Sequence, residues 1–187
     1  LARAQLRRRG VVGRGGHAGA AAADQRHQPG GQIDGRGRAQ LGQHRDQLAL
    51  AETVLRDDRF RLQDVSLMMA AANIDLYVGD PAKAFARIDA AWGQLETIGC
   101  LRLQQPRIEL GLLRARALLG LGGVERRREA RVAAELMIKE GAPWAIGLGH
   151  LIRASVHAFA GGDEAARAEL LAGEEHLMSA GMHGYLQ

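Results

Sequence analysis

Apolar positions follow a helical period through most of the chain, and residues 104–123 are apolar on two opposite faces. At about 100° per residue, the apolar side chains of this segment fall into two groups on opposite sides of a helix. One group contains Ile108, Leu112, Ala115 and Leu119, and the other contains Leu110, Leu113, Ala117 and Leu121. Because a helix with two apolar faces needs a neighbour on each side, we predict that it forms the central layer of a helical stack.

The same period, together with turn residues, predicts the other helices. Residues 62–78 again carry two apolar stripes, whereas residues 81–98 have the single apolar arc of an ordinary amphipathic helix. Gly-Asp-Pro at 79–81 predicts the end of one helix and the start of the next, since Gly suits the position after a helix, Asp suits a cap and Pro suits the first turn. The predicted helices span residues 46–58, 62–78, 81–98, 104–123, 125–139, 143–160 and 163–180.

The predicted turns at Gly79-Asp80, Gly122-Gly123 and Gly162-Asp163 are roughly 40 residues apart, a spacing somewhat longer than the 34-residue tetratricopeptide unit. We therefore predict an all-α fold, a tetratricopeptide-like helical-repeat array (an α-α superhelix) of about three helix pairs. The array occupies residues 47–187, and residues 183–187 are interpreted as the start of an element that is cut short. The alternative is an irregular helical bundle.

Residues 1–46 differ in composition from the rest. They hold ten of the 25 glycines and nine Arg against three Asp, without any aromatic residue or Lys. The segment therefore has a net charge of +6. Since the whole chain has a net charge of +4, residues 47–187 have a net charge of −2. Because little here can be buried to offset the entropy of ordering, we predict a disordered segment. A second interpretation is that part of a GC-rich gene has been read out of frame.

Composition sets further limits. An apolar content of 47% is enough for a core, and 4% aromatic residues favours packed helices over a β-sandwich. The single cysteine, Cys100, excludes an internal disulfide and favours the cytoplasm. No uncharged apolar run approaches the ~18 residues of a spanning helix, and Arg7-Arg8-Arg9 lacks a following apolar stretch, so neither membrane insertion nor export is predicted.

Six short stretches carry a resemblance to a known family: Phe60-Arg61-Leu62-Gln63, Ile74-Asp75-Leu76-Tyr77-Val78-Gly79-Asp80, Trp92, Arg107-Ile108, Leu113-Arg114-Ala115-Arg116-Ala117 and Glu140-Gly141-Ala142-Pro143-Trp144. The residues from Phe60 to Gln187 are similar to the C-terminal helical-repeat region of large soluble bacterial serine/threonine protein kinases, of the kind abundant in myxobacteria. In that family a kinase domain, often followed by an ATPase segment, precedes a long tetratricopeptide-like tail with a sensing or scaffolding role. The resemblance implies a fragment of such a tail and transfers no catalytic residue.

Catalytic motifs are absent from the sequence. The Gly-rich loop, strand Lys, catalytic-loop Asp and metal-binding Asp of a kinase do not occur, and neither does the phosphate-binding G-x-x-x-x-G-K-[ST]. We therefore predict no catalytic residue, no cofactor and no metal. The predicted function is a non-catalytic module for protein-protein interaction or regulation, with a protein or peptide partner. The oligomeric state is left open.

Five basic side chains are candidates for contact with that partner. Arg107 and Arg114 lie two helical turns apart, so they either line a groove that accepts an acidic peptide or edge the stack, and edging is favoured. His150, Arg153 and His157 share one face of the predicted helix 143–160. The two histidines are about 10 Å apart along the helix, a spacing that favours a solvated or groove-lining face over a metal site.

Two other function classes are kept as alternatives. Gly13-Arg14-Gly15 and Gly35-Arg36-Gly37-Arg38 suit contacts with nucleic-acid phosphates, as in an Arg-Gly-rich nucleic-acid-binding protein with a helical body. The lack of aromatic residues before Phe60 disfavours this reading because bases stack on such side chains. The other alternative is a small-molecule enzyme or sensor that uses the His150 face.

Overall fold

The computed structural model describes residues 35–54 and 61–185, and every regular element in these two ranges is a helix. The all-α prediction is therefore confirmed for the described residues. The ends of the last six α-helices agree with the predicted ends to within two residues. A short 3-10 turn at Cys100–Arg102 was not predicted, and a second one, His183–Tyr185, lies where the start of an element was expected. The α-helices are α1 (Gly35–Val54), α2 (Leu62–Tyr77), α3 (Pro81–Thr97), α4 (Gln104–Leu121), α5 (Val124–Lys139), α6 (Pro143–Phe159) and α7 (Asp163–Ser179).

The turn between α2 and α3 forms as its residues predict. Gly79 has a φ of 85°, in the left-handed region that a side chain disfavours. The backbone N–H of Lys83 donates a 3.0 Å hydrogen bond to Oδ1 of Asp80, which caps α3, and Pro81 occupies the first turn. The chain therefore reverses direction within three residues.

The two apolar faces of α4 contact two different groups of side chains, as the pattern predicts. Leu110, Leu113 and Ala117 belong to a first cluster, which α4 shares with α2 and α3. Ile108, Ala115 and Leu119 belong to a second cluster, which it shares with α5, α6 and α7. Leu121 was predicted to lie on the same apolar face as Leu113, but it is 38% exposed because it is the last residue of the helix.

Helix contacts follow a regular order. Each helix from α2 to α7 packs on the next, and in addition α2 contacts α4 and α4 contacts α6. Within the described residues, no contact of comparable extent joins α3 to α5 or α5 to α7. We call α2, α4 and α6 the inner row and α3, α5 and α7 the outer row. The central position of α4 in the inner row makes it the layer that joins both clusters.

The amino-terminal boundary differs from the prediction. Helix α1 begins at Gly35, whereas disorder was expected through residue 46. Its sequence is mostly polar and has no apolar stripe, so periodicity gives no signal, although its Ala, Gln, Arg and Leu residues favour helix. The expectation of disorder for residues 1–34 lies outside the described residues, as does the out-of-frame interpretation of that part.

None of the helices in the described residues combines the length and the apolar character needed to cross a lipid bilayer.

Candidate interaction surface

A groove opens where α1 passes the inner row. Its volume is about 360 Å³, and its lining comes from α1, α2 and α4. Nη1 of Arg116 on α4 donates a 3.0 Å hydrogen bond to Oδ1 of Asn73 on α2, which joins two walls of the groove. None of the lining residues is acidic, and two of them are aliphatic. The lining residues are Gln40, Leu41, His44, Asn73, Ile74, Tyr77 and Arg116.

Arg107, one of the predicted partner-binding residues, holds α4 to the end of α5. Its Nε and Nη2 both bind the Glu140 carboxylate, the latter at 2.7 Å, and its Nη1 donates to the carbonyl oxygen of Leu101 at 2.8 Å. Gln104 donates to the Glu140 backbone carbonyl at 3.2 Å. A two-point Arg-carboxylate contact fixes both direction and distance. Arg107 therefore connects α4 to the end of α5 through its guanidinium group.

Arg114 points to α3 rather than along a groove. Its guanidinium carbon lies 5.5 Å from the ring centroid of Phe85 and 5.3 Å from that of Trp92. Nη2 of Arg114 also lies 3.7 Å from Oδ1 of Asp89. These cation-π contacts cover the apolar edge of the first cluster. Arg107 and Arg114, which share one helix flank in the sequence, are thus directed to different neighbours.

The His150 face of α6 packs on α7 instead of facing solvent. Nδ1 of His150 lies 2.7 Å from Oε2 of Glu169, and Nη2 of Arg153 lies 2.7 Å from Oε1 of the same carboxylate. The ring of His150 stacks on that of His176 with centroids 5.8 Å apart and planes at 4°. Glu169 of α7 is therefore in close contact with two side chains of α6, and no local sequence signal indicates these contacts.

His157 lies in the last turn of α6 and is half-buried. Among the side chains that the structure describes, no group of three His, Cys, Asp or Glu residues is arranged to hold a metal ion. The assignment of Arg107, Arg114, His150, Arg153 and His157 to a partner surface stays a prediction. The groove residues Asn73, Tyr77 and Arg116 were not predicted as partner-binding residues, because α2 and α4 are brought together only by the fold.

The Arg107–Glu140 contact predicts a pH dependence of stability. The hydrogen bond from Arg107 holds the pKa of Glu140 below its usual value, against an opposing effect of burial and with a smaller contribution from Gln104. Because the pKa of Glu140 is lower in the folded than in the unfolded protein, its ionised form stabilises the fold. This stabilisation is fully present above the usual glutamate pKa of about 4.3, and it is lost as the pH falls through the folded-state pKa. We expect Glu140→Gln to remove this pH-dependent stabilisation, which amounts to about 1 kcal/mol of the free energy of unfolding. The value is small because Arg107 is partly exposed to solvent, which weakens the ion pair.

Urea unfolding at pH 6 and pH 3 measures this component. The fall in stability between the two pH values should be smaller in Glu140→Gln than in the wild type. Glu125→Gln, at an exposed position near the start of α5, is the matched control and should leave the fall unchanged. Equal pH dependence in all three proteins would contradict the assignment.

In comparisons with known proteins, no protein-family model, no curated protein and no solved structure matches this chain. The geometry of the described residues is therefore the basis of the functional interpretation.

Proposed function

We propose that this chain is a non-catalytic, tetratricopeptide-like helical-repeat module whose groove between α1, α2 and α4 binds a segment of a protein partner. The repeat interpretation is supported by the contacts of the inner row, in which helices two elements apart pack on each other. Regular stacking of this kind leaves an extended surface along one row of helices, where such modules bind other proteins. The groove is the single observation that carries the proposal.

The chemistry of the groove favours an acidic segment with an aliphatic side chain. Arg116 supplies a cation at the groove, and its Nη1 bonds to Oδ1 of Asn73. Asn73 and Tyr77 add hydrogen-bonding groups, and Leu41 and Ile74 provide apolar surface for an anchoring side chain. A basic segment would instead place its cations beside the guanidinium group of Arg116.

We further propose that the parent protein is a bacterial serine/threonine protein kinase with this module in its C-terminal tail. The support is the sequence resemblance alone. Reading the DNA upstream of the codon for Leu1 in all frames tests the kinship, since a kinase domain should be encoded there. Upstream sequence that encodes an unrelated protein would remove this part of the proposal and leave the binding module untouched.

Binding of model peptides tests the groove. Fluorescein-labelled peptides of alternating Glu and Leu should bind at least about tenfold more tightly than peptides of alternating Lys and Leu, a difference of about 1.4 kcal/mol. Arg116→Ala should weaken binding of the Glu-Leu peptide by a similar factor, because the substitution removes the cation of the groove. Fluorescence anisotropy titrations at fixed salt measure both effects.

Arg102→Ala is the matched control for charge. Arg102 is an exposed arginine in the 3-10 turn before α4, away from the groove, so its replacement should leave peptide affinity unchanged. Equal binding of the two peptides, or equal loss in the Arg102 and Arg116 variants, would show that net charge rather than the groove is responsible.

A further inference from the structure

Helix α5 carries an apolar stripe between two basic residues on its outward face. Its buried face, which includes Ala130, Ala134 and Met137, packs into the second cluster. On the opposite side, Val132 is 51% exposed and Leu136 is 59% exposed. Arg128 precedes this pair and Lys139 follows it, both exposed. Two neighbouring exposed aliphatic side chains give this face an apolar centre that another helix can cover.

Helix α7 carries a corresponding stripe between two acidic residues. Its buried face includes Leu177 of the second cluster, and its outward face shows Leu171 at 62% exposure and Met178 at 53%. Glu164 and Glu175 lie on this outward face on either side of Ala168 and Leu171, and both glutamates are exposed. The helix has five acidic residues against one arginine, whereas α5 has five basic residues against three acidic ones.

The two stripes match in length and oppose in charge. Arg128 and Lys139 are eleven residues apart, and so are Glu164 and Glu175, which places each pair about 16 Å apart along its helix. Glu135 on the α5 stripe is paired with Arg131, whose Nε donates to it at 3.1 Å, and the α7 stripe includes one basic side chain, the exposed Arg167 next to Glu164. Laid side by side, the helices therefore bring two opposite-charge pairs together around an apolar centre.

Both helices belong to the outer row, and their outward faces point away from the clusters that bury their opposite sides. Since α6 reverses the chain between them, α5 and α7 run in the same direction. The stripes of one chain do not pack on each other, since within the described residues no extensive contact joins these two helices. A second chain turned by a two-fold rotation can offer α7 to α5 and α5 to α7 at the same time.

We propose that the occupant of this surface is a second copy of the chain, and that the dimer is two-fold symmetric with α5 of each copy on α7 of the other. The apolar centres supply the contact area, and the four charge pairs select this pairing over α5 on α5 or α7 on α7, both of which place like charges together. The inference is independent of the peptide groove, which lies on the inner row.

Charge-swap variants of the full chain test the proposal. Multi-angle light scattering and analytical ultracentrifugation of the wild type should both give a mass twice that of one chain. Arg128→Glu with Lys139→Glu places acidic residues on both stripes, and Glu164→Lys with Glu175→Lys places basic residues on both. Each double variant alone should dimerise at least about tenfold more weakly. An equimolar mixture should restore the dimer, since every stripe then faces one of opposite charge.

Reversals elsewhere serve as controls. Arg102→Glu and Glu96→Lys change exposed charges outside α5 and α7 and should keep wild-type association. A wild-type chain that remains monomeric up to hundreds of micromolar overturns the proposal and assigns the stripes to helices of other proteins. Double variants that dimerise as the wild type does, or a mixture that forms no mixed dimer in native mass spectrometry, overturn it as well.

Discussion

Leu113→Asp is expected to unfold the whole helical array in one step. Leu113 is 3% exposed and lies in the first cluster, on the face of α4 that packs on α2 and α3. A carboxylate placed there has no partner, and a buried unpaired charge costs at least about 4 kcal/mol, a large part of the ~5–15 kcal/mol that stabilises a typical domain. Because the opposite face of α4 holds the second cluster, loss of this helix removes support from both clusters.

Far-UV circular dichroism during thermal and urea unfolding measures the effect. The variant should lose most of its helicity at 25 °C or melt far below the wild type, with one transition rather than two. Leu121→Asp is the matched control on the same helix, because Leu121 is 38% exposed and its replacement should cost less than about 1 kcal/mol. An unchanged melting temperature for Leu113→Asp would mean that α4 is not the central layer.

Much of the fold was predictable because its signals are local. The helical period of the apolar residues predicted the positions of α2 to α7, and Gly, Asp and Pro at the turns predicted where these helices end. The two faces of α4 also followed from periodicity, since side chains about 100° apart on a helix must divide between its neighbours. The tetratricopeptide-like arrangement goes beyond this level and stays a proposal.

The contacts of the candidate residues could not be predicted, because they depend on distant parts of the chain. Arg107 binds Glu140, which is 33 residues away, and Arg116 binds Asn73, which is 43 residues away. The sequence shows only that such residues are polar and occupy a helix flank. Asp75 is a further case: it is a buried carboxylate held by Lys83 and Arg87 of α3, at a position that periodicity alone would assign to neither apolar stripe.

Close approach of helices is equally invisible in the sequence. Gly149 lies within α6, where helix propensity would favour Ala by about 1 kcal/mol. In the structure a methyl group at Gly149 would lie 2.8 Å from the backbone carbonyl oxygen of Ala134 and 2.6 Å from Cγ1 of Ile138, both on α5. The side chain of Ile138 has other rotamers, but the carbonyl oxygen can move only with its helix. The glycine therefore sets the distance between α5 and α6.

Gly149→Ala is accordingly expected to destabilise the protein by about 2 kcal/mol, the cost of overpacking less the gain in helix propensity. Gly93→Ala is the matched control in the middle of α3, where no atom lies within 4 Å of the added methyl group, and it should stabilise by up to about 1 kcal/mol. Urea midpoints of the two variants should thus move in opposite directions from the wild type. If both substitutions stabilised the protein, α5 and α6 would have to lie farther apart than the glycine contact allows, and the second cluster would lose the close packing that joins these helices.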